Sequence, residues 1–410
     1  MSQLPALIER TVPHRNTPST EFSPIVRIQK AIFQQAAALG ASDIHIEPGR
    51  RSTRIRCRVH GALRQTAELP RWLHDNVVVR MKVIAHLDVS ERRVPQDGHI
   101  NAEATGTDDA RVSTLPSRWG EKVVIRLLKR AQAAMSLADI GFPKPFEDKL
   151  RAWIRRSQGI LFVVGPTGSG KTTTLYGLIH ELRNEPLNVV TIEDPIEYEI
   201  DGITQVQTHE RAGLTFARVL RAILRQDPDV ILVGEIRDSE TAKTAVHASM
   251  TGHLVLSTLH ANDSVAAMSR LAELGIERSV AASVILGVVA QRLVRLNCPK
   301  CAQPDSPRLL YMDCLGIPRS EAGRFRRSAG CADCGFTGTT GRTGMFELLE
   351  MTGRIRELCA DNPEGNEARI RHAAADAGMV TLMQQAASLA LAGAISIDEA
   401  YRFGYAGETS

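Results

Sequence analysis

The sequence has few aromatic residues, no strong excess of either charge and no long apolar run. Phe, Tyr and Trp make up 4% of the 410 residues, which argues against a base-stacking surface for nucleic acid. The net charge of +4, from 50 basic and 46 acidic residues, is too small to indicate nucleic acid as the main partner. No run approaches the roughly 18 apolar residues that span a bilayer, so no integral membrane segment is predicted.

The N-terminus lacks the basic stretch followed by an apolar stretch that marks a secretory signal. Three prolines and many Ser, Thr and Asn residues predict a flexible segment over residues 1–22. The seven cysteines are odd in number, and four of them form two C-x-x-C pairs. In a cytoplasmic chain this pattern favours a metal site over disulfides.

Residues 23–130 are predicted as a first domain of mixed helices and strands. Apolar residues at positions 25, 28, 32 and 39 recur with helical spacing, which predicts a helix that ends at Gly40. Apolar and arginine side chains alternate over residues 53–59, which predicts a half-buried strand. Its arginine row is either a solvated face or a surface toward another domain or a ligand. A second helix is predicted at 76–84, and two strands at 111–115 and 123–128, with a turn at 116–120.

Residues 131–145 are predicted as a linker and residues 146–297 as an α/β domain. In that domain short apolar strands alternate with helices, which predicts parallel βαβ units with helices on both faces of a sheet. Residues 298–344 contain the cysteine pairs, and residues 345–410 are predicted to be mostly helical. The predicted strands of the α/β domain are 160–164, 189–192, 230–233 and 254–257.

Residues 165–172 read GPTGSGKT, a complete phosphate-binding loop between a predicted buried strand and a predicted helix. Glycines let the backbone approach phosphates, whose oxygens the N–H groups at a helix N-terminus then bind. Lys171 is predicted to reach the β- and γ-phosphates of ATP, and the Thr172 hydroxyl to hold Mg²⁺. A glycine-rich turn that fits by chance is the alternative, and the flanking strand and helix argue against it. The predicted nucleotide-binding residues are Gly165, Pro166, Thr167, Gly168, Ser169, Gly170, Lys171, Thr172 and Thr173.

Acidic residues follow two further apolar strands. Glu235, in VILVGEIRD, lies just beyond a strand end, where an ATPase needs a carboxylate beside Mg²⁺. In TIEDPIEY, one of Glu193, Asp194 and Glu197 could orient or deprotonate the attacking water. The structural alternatives are a chance acidic strand end for the first motif and a charged turn for the second.

His260 follows a third apolar strand, in TGHLVLSTLHAND. At the carboxyl end of a strand, it could contact or sense the γ-phosphate. A structural histidine is the alternative.

Cys298, Cys301, Cys331 and Cys334 form the pairs C-P-K-C and C-A-D-C. Each pair can place two thiolates on one tetrahedral metal ion, and Zn²⁺ is the usual occupant of such a site. The 29 residues between the pairs require a sizeable loop, and four free thiols are the alternative. Four protein ligands leave no open position, so the predicted site is structural.

Together these motifs resemble the secretion-ATPase superfamily, specifically the type II secretion and type IV pilus assembly ATPases. In that family GPTGSGKT is the Walker A motif, TIEDPIEY the Asp box, VILVGEIRD the Walker B motif and TGHLVLSTLHAND the His box. The resemblance extends upstream to LGASDIHIEP, RRVPQDGHI and RVSTLPSRWGEKVVIRLL. Downstream it includes the tetracysteine pattern and GRTGMFELLEM, so that it covers roughly residues 24–400.

The resemblance implies a PAS-like α+β domain, then a RecA-like domain, a small zinc element and a helical C-terminal tail. It also implies hexameric rings with nucleotide between the two domains and with arginines of the N-terminal domain on the γ-phosphate. Arg111 is the first candidate and Arg93 a weaker one, whereas His99 stands where many relatives have arginine. Further candidates are Arg237 and the helical row of Arg218, Arg221 and Arg225.

The resemblance also bears on partners. Because the chain begins close to the PAS-like domain, it is expected to lack the extra N-terminal domain by which many relatives dock at the inner membrane. Retraction ATPases of pili usually lack the tetracysteine element, so its presence favours assembly or secretion.

The leading hypothesis is a cytoplasmic, Mg²⁺-dependent, hexameric ATPase that assembles pilins or pseudopilins. An inner-membrane platform protein would hold it at the membrane, and domain closure around ATP would be the mechanical step. Glu193 is assigned to the attacking water and Glu235 to Mg²⁺ or its bound water, and these two roles are interchangeable at this stage. The alternatives are a DNA-translocating ATPase of conjugation or DNA uptake, and a weakly catalytic assembly subunit.

Overall fold

The computed structural model describes residues 24–59, 61–128, 135–360 and 367–405. The chain divides into two compact units, Met1–Arg130 and Ala131–Ser410. The predicted flexible segment at residues 1–22 lies outside the described residues, as do positions 131–134 of the predicted linker.

The first unit is an antiparallel six-stranded sheet that packs two helices against one face. The sheet has the order β3-β2-β1-β6-β5-β4, and each neighbouring pair is antiparallel. Its helices are α1 (Pro24–Ala38), α2 (His74–Ile84) and the short α3 (Ala102–Thr105). Its strands are β1 (Asp43–Pro48), β2 (Ser52–Val59), β3 (Ala62–Pro70), β4 (Gln96–Ile100), β5 (Asp109–Ser117) and β6 (Gly120–Leu128).

Alternation along the strands builds the core of this unit. The apolar residues of β1, β2 and β6 meet Ile32, Phe33 and Met81 of the two long helices, whereas charged residues occupy the opposite face. The predicted strand at 53–59 and the predicted helix at 76–84 are confirmed within these longer elements.

Two predictions in the first unit need correction. Leu39 is 38% exposed and lies beyond α1, because the helix ends at Ala38 and Gly40 takes a φ of 63°. The turn between β5 and β6 is also shorter than predicted. Ser117 pairs with Gly120, so that only two residues separate the strands. The ladder between β5 and β6 continues past Pro116 of β5 and its partner, Glu121 of β6.

The second unit is built on a seven-stranded sheet with the order β15-β12-β7-β11-β10-β8-β9. Neighbours from β12 to β9 are parallel, and the edge strand β15 is antiparallel to β12. These strands are β7 (Gly159–Val164), β8 (Val189–Glu193), β9 (Thr204–Gln207), β10 (Val230–Val233), β11 (Leu254–Leu259), β12 (Ile285–Asn297) and β15 (Thr339–Glu350). The strands β13 (Ala302–Pro304) and β14 (Arg326–Ser328) form a separate small ladder.

Helices cover both faces of this sheet, as the βαβ pattern predicted. One face packs α4 (Leu137–Ile140), α5 (Lys144–Ile154) and α6 (Lys171–Leu182). The other packs α7 (Phe216–Ile223), α8 (Ser239–Met250), α9 (Ala266–Glu273), α10 (Arg278–Val284), α12 (Gly353–Ala360) and α13 (Glu367–Asp376). A further apolar cluster contains residues of α11 (Leu309–Cys314), α14 (Leu382–Leu391) and α15 (Ile397–Tyr405). These residues pack with Val294 of β12 and Met345 of β15.

The structure differs from the prediction in two stretches of this unit. The region predicted to begin a helical tail at residue 345 starts inside β15, whose residues are held by pairing with β12 rather than by local preference. Residues 135–145, predicted as linker, contain α4 and pack Leu137 and Phe142 into the core. Helices α12 to α15 do follow β15, as predicted for the tail.

Candidate active site and metal centre

The predicted phosphate loop lies between a fully buried strand and a helix N-terminus. β7 ends at Val164, residues 165–170 form the turn, and α6 begins at Lys171. Gly170 caps the helix with a φ of 91°, a conformation that residues with a side chain rarely adopt. Because the first N–H groups of a helix have no intrahelical partner, they are available to an anion here. Thr172 is exposed in the first turn, where its hydroxyl can reach a metal ion on that anion.

Lys171 folds back over the loop. Its Nζ donates hydrogen bonds to the carbonyl oxygens of Gly165, at 2.9 Å, and Pro166, at 3.0 Å. Burial lowers the pKa of Lys171, the carboxylate of Glu235 raises it, and the guanidinium of Arg292 lowers it further. The ammonium group therefore lies within electrostatic reach of Glu235. A phosphate would be a stronger acceptor for it than the two carbonyls.

Strand β12 supports the phosphate loop through polar residues that the sequence analysis missed. Gln291 is 1% exposed, and its Oε1 accepts a hydrogen bond from Thr174 Oγ1 at 2.7 Å. A Cβ at Gly170 would lie 2.8 Å from Gln291 Nε2, and one at Gly165 would lie 2.5 Å from the Gln291 carbonyl oxygen. The loop therefore needs glycine partly because β12 approaches so closely. The available signal was the pair QR inside the apolar run VVAQRLV.

Glu235 lies just beyond β10, close to Arg237 of its own segment and to His260 of the segment that follows β11. Its Oε1 pairs with Arg237 Nη2 at 2.6 Å, and its Oε2 lies 3.7 Å from His260 Nε2. Its side chain is 15% exposed, and the charge of Lys171 is close enough to act on it. The structure thus brings the predicted Walker B carboxylate, His-box histidine and loop lysine together at the carboxyl edge of the parallel strands.

Glu193 ends β8 and is 3% exposed, with its carboxylate held by three side chains. Thr191 Oγ1 donates to Oε1 at 2.6 Å, Gln205 Nε2 donates to the same oxygen at 3.0 Å, and the Tyr176 hydroxyl donates to Oε2. Burial, together with the charge of Glu193, raises the pKa of Tyr176, so the phenol stays protonated and donates. A carboxylate with these partners is poorly placed to accept a proton from water.

The arginine row predicted as helical makes contacts of its own, and its last member, Arg225, lies beyond the end of α7. Arg221 pairs with Glu240, Arg218 donates to the Gly213 carbonyl at 3.2 Å, and Arg225 donates to the Arg221 carbonyl at 2.7 Å. Of the four arginine candidates in this unit, Arg237 pairs with a predicted catalytic carboxylate, that of Glu235, at 2.6 Å.

In the first unit the register sets Arg111 of β5 beside His99 of β4. His99 Nδ1 lies 3.1 Å from Asn101 Oδ1. Arg93 has an 88% exposed side chain and pairs with Glu91 at 2.8 Å, and this bond lowers the pKa of Glu91 to about 2. The departure from the family pattern at position 99 is therefore directly across the ladder from Arg111. Contacts of Arg111 and Arg93 with nucleotide remain predictions.

The four cysteines of the two C-x-x-C pairs come together. Their Sγ atoms all lie within 4.8 Å of one another, and the shortest pairs are 3.8 Å (Cys331 with Cys334), 3.9 Å (Cys298 with Cys331) and 4.0 Å (Cys301 with Cys334). Zn–S bonds of about 2.3 Å in a regular tetrahedron give S···S edges of about 3.8 Å, so the donor set fits Zn²⁺.

Backbone N–H groups point at these sulfurs. Gly330 donates to Cys301 Sγ at 3.3 Å, and Cys331 and Gly338 both donate to Cys334 Sγ at 3.2 Å. The N–H of Cys331, and that of Gly338 to a smaller extent, lower the pKa of Cys334 to about 6, whereas burial raises the pKa of Cys301 to about 11. These donors stabilise thiolate, the form that binds metal.

The model of the family described as "Type II/IV secretion system protein" matches residues 18–402. The chain belongs to this family. Type II secretion system protein E of Pseudomonas aeruginosa is 44% identical over 352 residues, which are 86% of this chain and 70% of that protein. Type II secretion system ATPase E of Vibrio cholerae is 45% identical over 355 residues, with 86% and 70% covered. The type IV pilus assembly ATPase PilB of Thermus thermophilus is 42% identical over 373 residues, 90% of this chain and 42% of that protein.

Solved structures of this family share the fold. The pilus retraction motor PilT with bound ADP is similar with a TM-score of 0.63 and 26% identity, over 91% of this chain and 96% of that one. The Legionella pneumophila ATPase DotB has a TM-score of 0.69 and 22% identity, over 96% and 98%, which shows the fold alone. The predicted α/β fold and the predicted family are thus confirmed, and this secretion-family protein is an ATP hydrolase.

Within the described ranges, no helix is long and apolar enough to cross a bilayer.

Proposed function

We propose that this protein hydrolyses Mg²⁺-bound ATP to power the assembly of a pilus or of a type II secretion pseudopilus. The observation that supports this most is that Glu235 lies 3.7 Å from His260 and within electrostatic reach of Lys171, the residue that begins α6 after the phosphate loop. Relatives named as a type II secretion ATPase and as a pilus assembly ATPase support the choice of machine.

In this proposal the backbone and side chains of the phosphate loop have separate roles. N–H groups of residues 165–173 bind the phosphates, and Lys171 leaves the Gly165 and Pro166 carbonyls to hold the β- and γ-oxygens. The Thr172 hydroxyl would hold Mg²⁺, which supplies positive charge against the phosphates when bound.

Glu235 orients the attacking water and accepts its proton, and His260 beside it contacts the γ-phosphate. This moves the role on the attacking water from Glu193, to which it was first assigned, to Glu235, because Glu193 is buried among its three donors while Glu235 lies within electrostatic reach of Lys171. Glu193 then fixes β8 against α6 and β9 through Tyr176 and Gln205.

The assembled state is a further part of the proposal. We infer a cytoplasmic homohexamer held at the inner membrane by a platform protein, with Arg111 acting on the γ-phosphate and domain closure as the working stroke. The resemblance of the ordered motifs supports this part. The tetracysteine site holds Zn²⁺ and thereby joins the ends of β12 and β15, since Cys298 follows β12 and donates its N–H to the Gly338 carbonyl at 3.0 Å.

Steady-state ATP turnover of the purified chain tests the proposed reaction. Turnover is expected with Mg²⁺, to fall to background with EDTA, and to stay within about twofold when duplex or single-stranded DNA is added. A sharp rise with DNA would replace the assembly motor with a DNA translocase. Absence of turnover in the oligomeric protein would leave only a nucleotide-binding subunit.

A further inference from the structure

Arg292 lies between the phosphate loop and the loop that follows β11. Its Nη2 donates to the Asn262 carbonyl at 2.5 Å, and its Nη1 donates to the Gln291 carbonyl at 3.0 Å. A Cβ at Gly165 would come within 3.0 Å of Nη1, so the guanidinium also rests against the first glycine of the phosphate loop. One side chain therefore touches both segments that form the site.

The charge of this arginine is balanced by its neighbours. Burial lowers the pKa of Arg292, and the carboxylates of Asp263 and Glu347 raise it again. A guanidinium stays protonated in proteins, so Arg292 presents a fixed positive charge near Lys171. The same plane of N–H donors reaches two carbonyls at once, which a lysine ammonium on a flexible stem does not reproduce.

The loop after β11 is anchored at its far end by other contacts. Ser264 donates its N–H to Glu347 Oε1 at 3.0 Å, and Asp263 accepts from Arg371 Nη2 at 2.9 Å. His260, at the near end, is half exposed and lies 3.7 Å from Glu235 Oε2. The contact from Arg292 to Asn262 ties the stretch between these two ends to the phosphate loop.

We propose that Arg292 is a positioning residue that holds the His260 loop in register with the phosphate loop. This inference rests on the proposed ATP hydrolysis. By fixing the two loops to each other, Arg292 sets the distance from His260 and Glu235 to the γ-phosphate bound at Lys171. Small displacements of reacting groups lower rates steeply, so the effect appears in kcat rather than in ATP affinity.

Two substitutions of Arg292 distinguish its contacts with both loops from the effect of its positive charge. Arg292→Ala is expected to lower kcat by about 10- to 100-fold while the Kd for a fluorescent ATP analogue changes by less than about threefold. Arg292→Lys keeps the charge but not the fork, so its kcat should stay at least about fivefold below wild type. Full recovery of kcat by lysine would overturn the bridging role, as would a loss confined to Kd.

A double substitution tests the route through His260. If Arg292 acts through that loop, Arg292→Ala costs a smaller factor in kcat when His260 is already alanine. Equal factors in both backgrounds would contradict the inference. Arg295→Lys is the matched control, because Arg295 lies on the same strand but pairs with Glu399 at 2.7 Å. It should leave kcat within about twofold of wild type.

Amide hydrogen exchange tests the contact between Arg292 and the loop at Asn262 without a measurement of ATP turnover. In Arg292→Ala the amides of residues 260–263 should exchange faster than in wild type, and in Arg295→Lys they should not. Unchanged exchange in Arg292→Ala would overturn this inference even in a protein that hydrolyses ATP. Absence of turnover in wild type, with the exchange difference present, would contradict the proposed function and leave the structural tie standing.

Discussion

The two sheets of the protein place their polar residues in different ways. In the antiparallel sheet of the first unit, charges alternate with apolar residues along the strands, so that Glu47 on β1 meets Arg56 at 2.7 Å and Lys122 at 3.0 Å. In the sheet of the second unit, the central parallel strands β7, β10 and β11 are buried along their length, and functional groups collect where they end. An antiparallel sheet can leave one face to solvent, whereas a parallel sheet is covered on both faces.

Because of this difference, charged residues of the two sheets are expected to affect different properties of the protein. Charges on the open face of the first sheet are paired with one another and contribute to the stability of that unit. Groups at the carboxyl edge of the second sheet come together from separate segments: Glu235 lies 3.7 Å from His260 and within electrostatic reach of Lys171. Substitutions of Lys171 and Glu235 should therefore change turnover, and substitution of a paired charge such as Glu47 should change stability.

The largest expected effect is that of Lys171→Ala on turnover. The ammonium is the positive charge that the loop offers to the transferring phosphoryl group, so kcat should fall to background while the fold persists. Parallel measurement of ATP turnover and of the circular dichroism melting curve checks this. Retained turnover would sink the assignment of the site, and a lost melting transition would show that Lys171 acts on the fold.

Replacing Glu235 and Glu193 by glutamine, one at a time, compares the roles of the two carboxylates at the strand ends of the second sheet. Glu235→Gln should lower kcat by about 10²- to 10⁴-fold with little change in melting temperature. Glu193→Gln should instead destabilise the fold by about 1–3 kcal/mol, because it disturbs a buried network with Thr191, Gln205 and Tyr176. If Glu193→Gln gave the larger loss of kcat at unchanged stability, the original assignment of Glu193 to the water would be restored.

Removal of one cysteine ligand tests whether the stability of β12 and β15 depends on a bound metal ion. Cys334→Ser should lower the zinc content from about one ion per chain to near zero and destabilise the ends of β12 and β15 by several kcal/mol. Elemental analysis and thiol titration measure this directly. Cys314→Ser is the control, since Cys314 is exposed and outside the cluster. Four freely titratable native thiols and no zinc in the wild type would refute the site.

The smallest effect concerns the open face of the first sheet. Burial raises the pKa of Glu47, but hydrogen bonds from Arg56 and Lys122 outweigh it and lower the pKa from 4.5 to about 2. A lowered folded-state pKa means that the stabilisation is present above pH 4.5 and is lost as the pH falls toward 2. Glu47→Gln should therefore cost on the order of 1–2 kcal/mol at pH 7, after allowance for solvent screening, and less as the pH falls.

Tryptophan fluorescence is the measurement for Glu47→Gln, because two of the three tryptophans, Trp72 and Trp119, belong to the first unit. Denaturant unfolding is followed from pH 7 downward in wild type and variant. A stability difference that stayed constant across this range would show that the carboxylate does not titrate as stated. ATP turnover at neutral pH serves as the contrast, since the comparison of the two sheets predicts little change there.

Short-range patterns were enough to find the phosphate loop, the four central strands of the second sheet and the cysteine pairs. Each of these depends on residues close together in sequence: GPTGSGKT between an apolar run and a helix, or C-x-x-C on one turn. The ordered motifs also identified the family that the comparisons confirm.

Only the tertiary structure decided what depends on pairing over long distances. Strand β15 exists because β12 offers it a partner, and Gln291 and Arg292 support the phosphate loop although more than a hundred residues separate them from it. Glu193 and Glu235 look alike in sequence, each at the end of an apolar strand. Their surroundings differ: three donors enclose Glu193, whereas Glu235 pairs with Arg237, lies 3.7 Å from His260 and is within electrostatic reach of Lys171. Local chemistry selects which groups are present, and packing between distant segments decides which of them remain available to react.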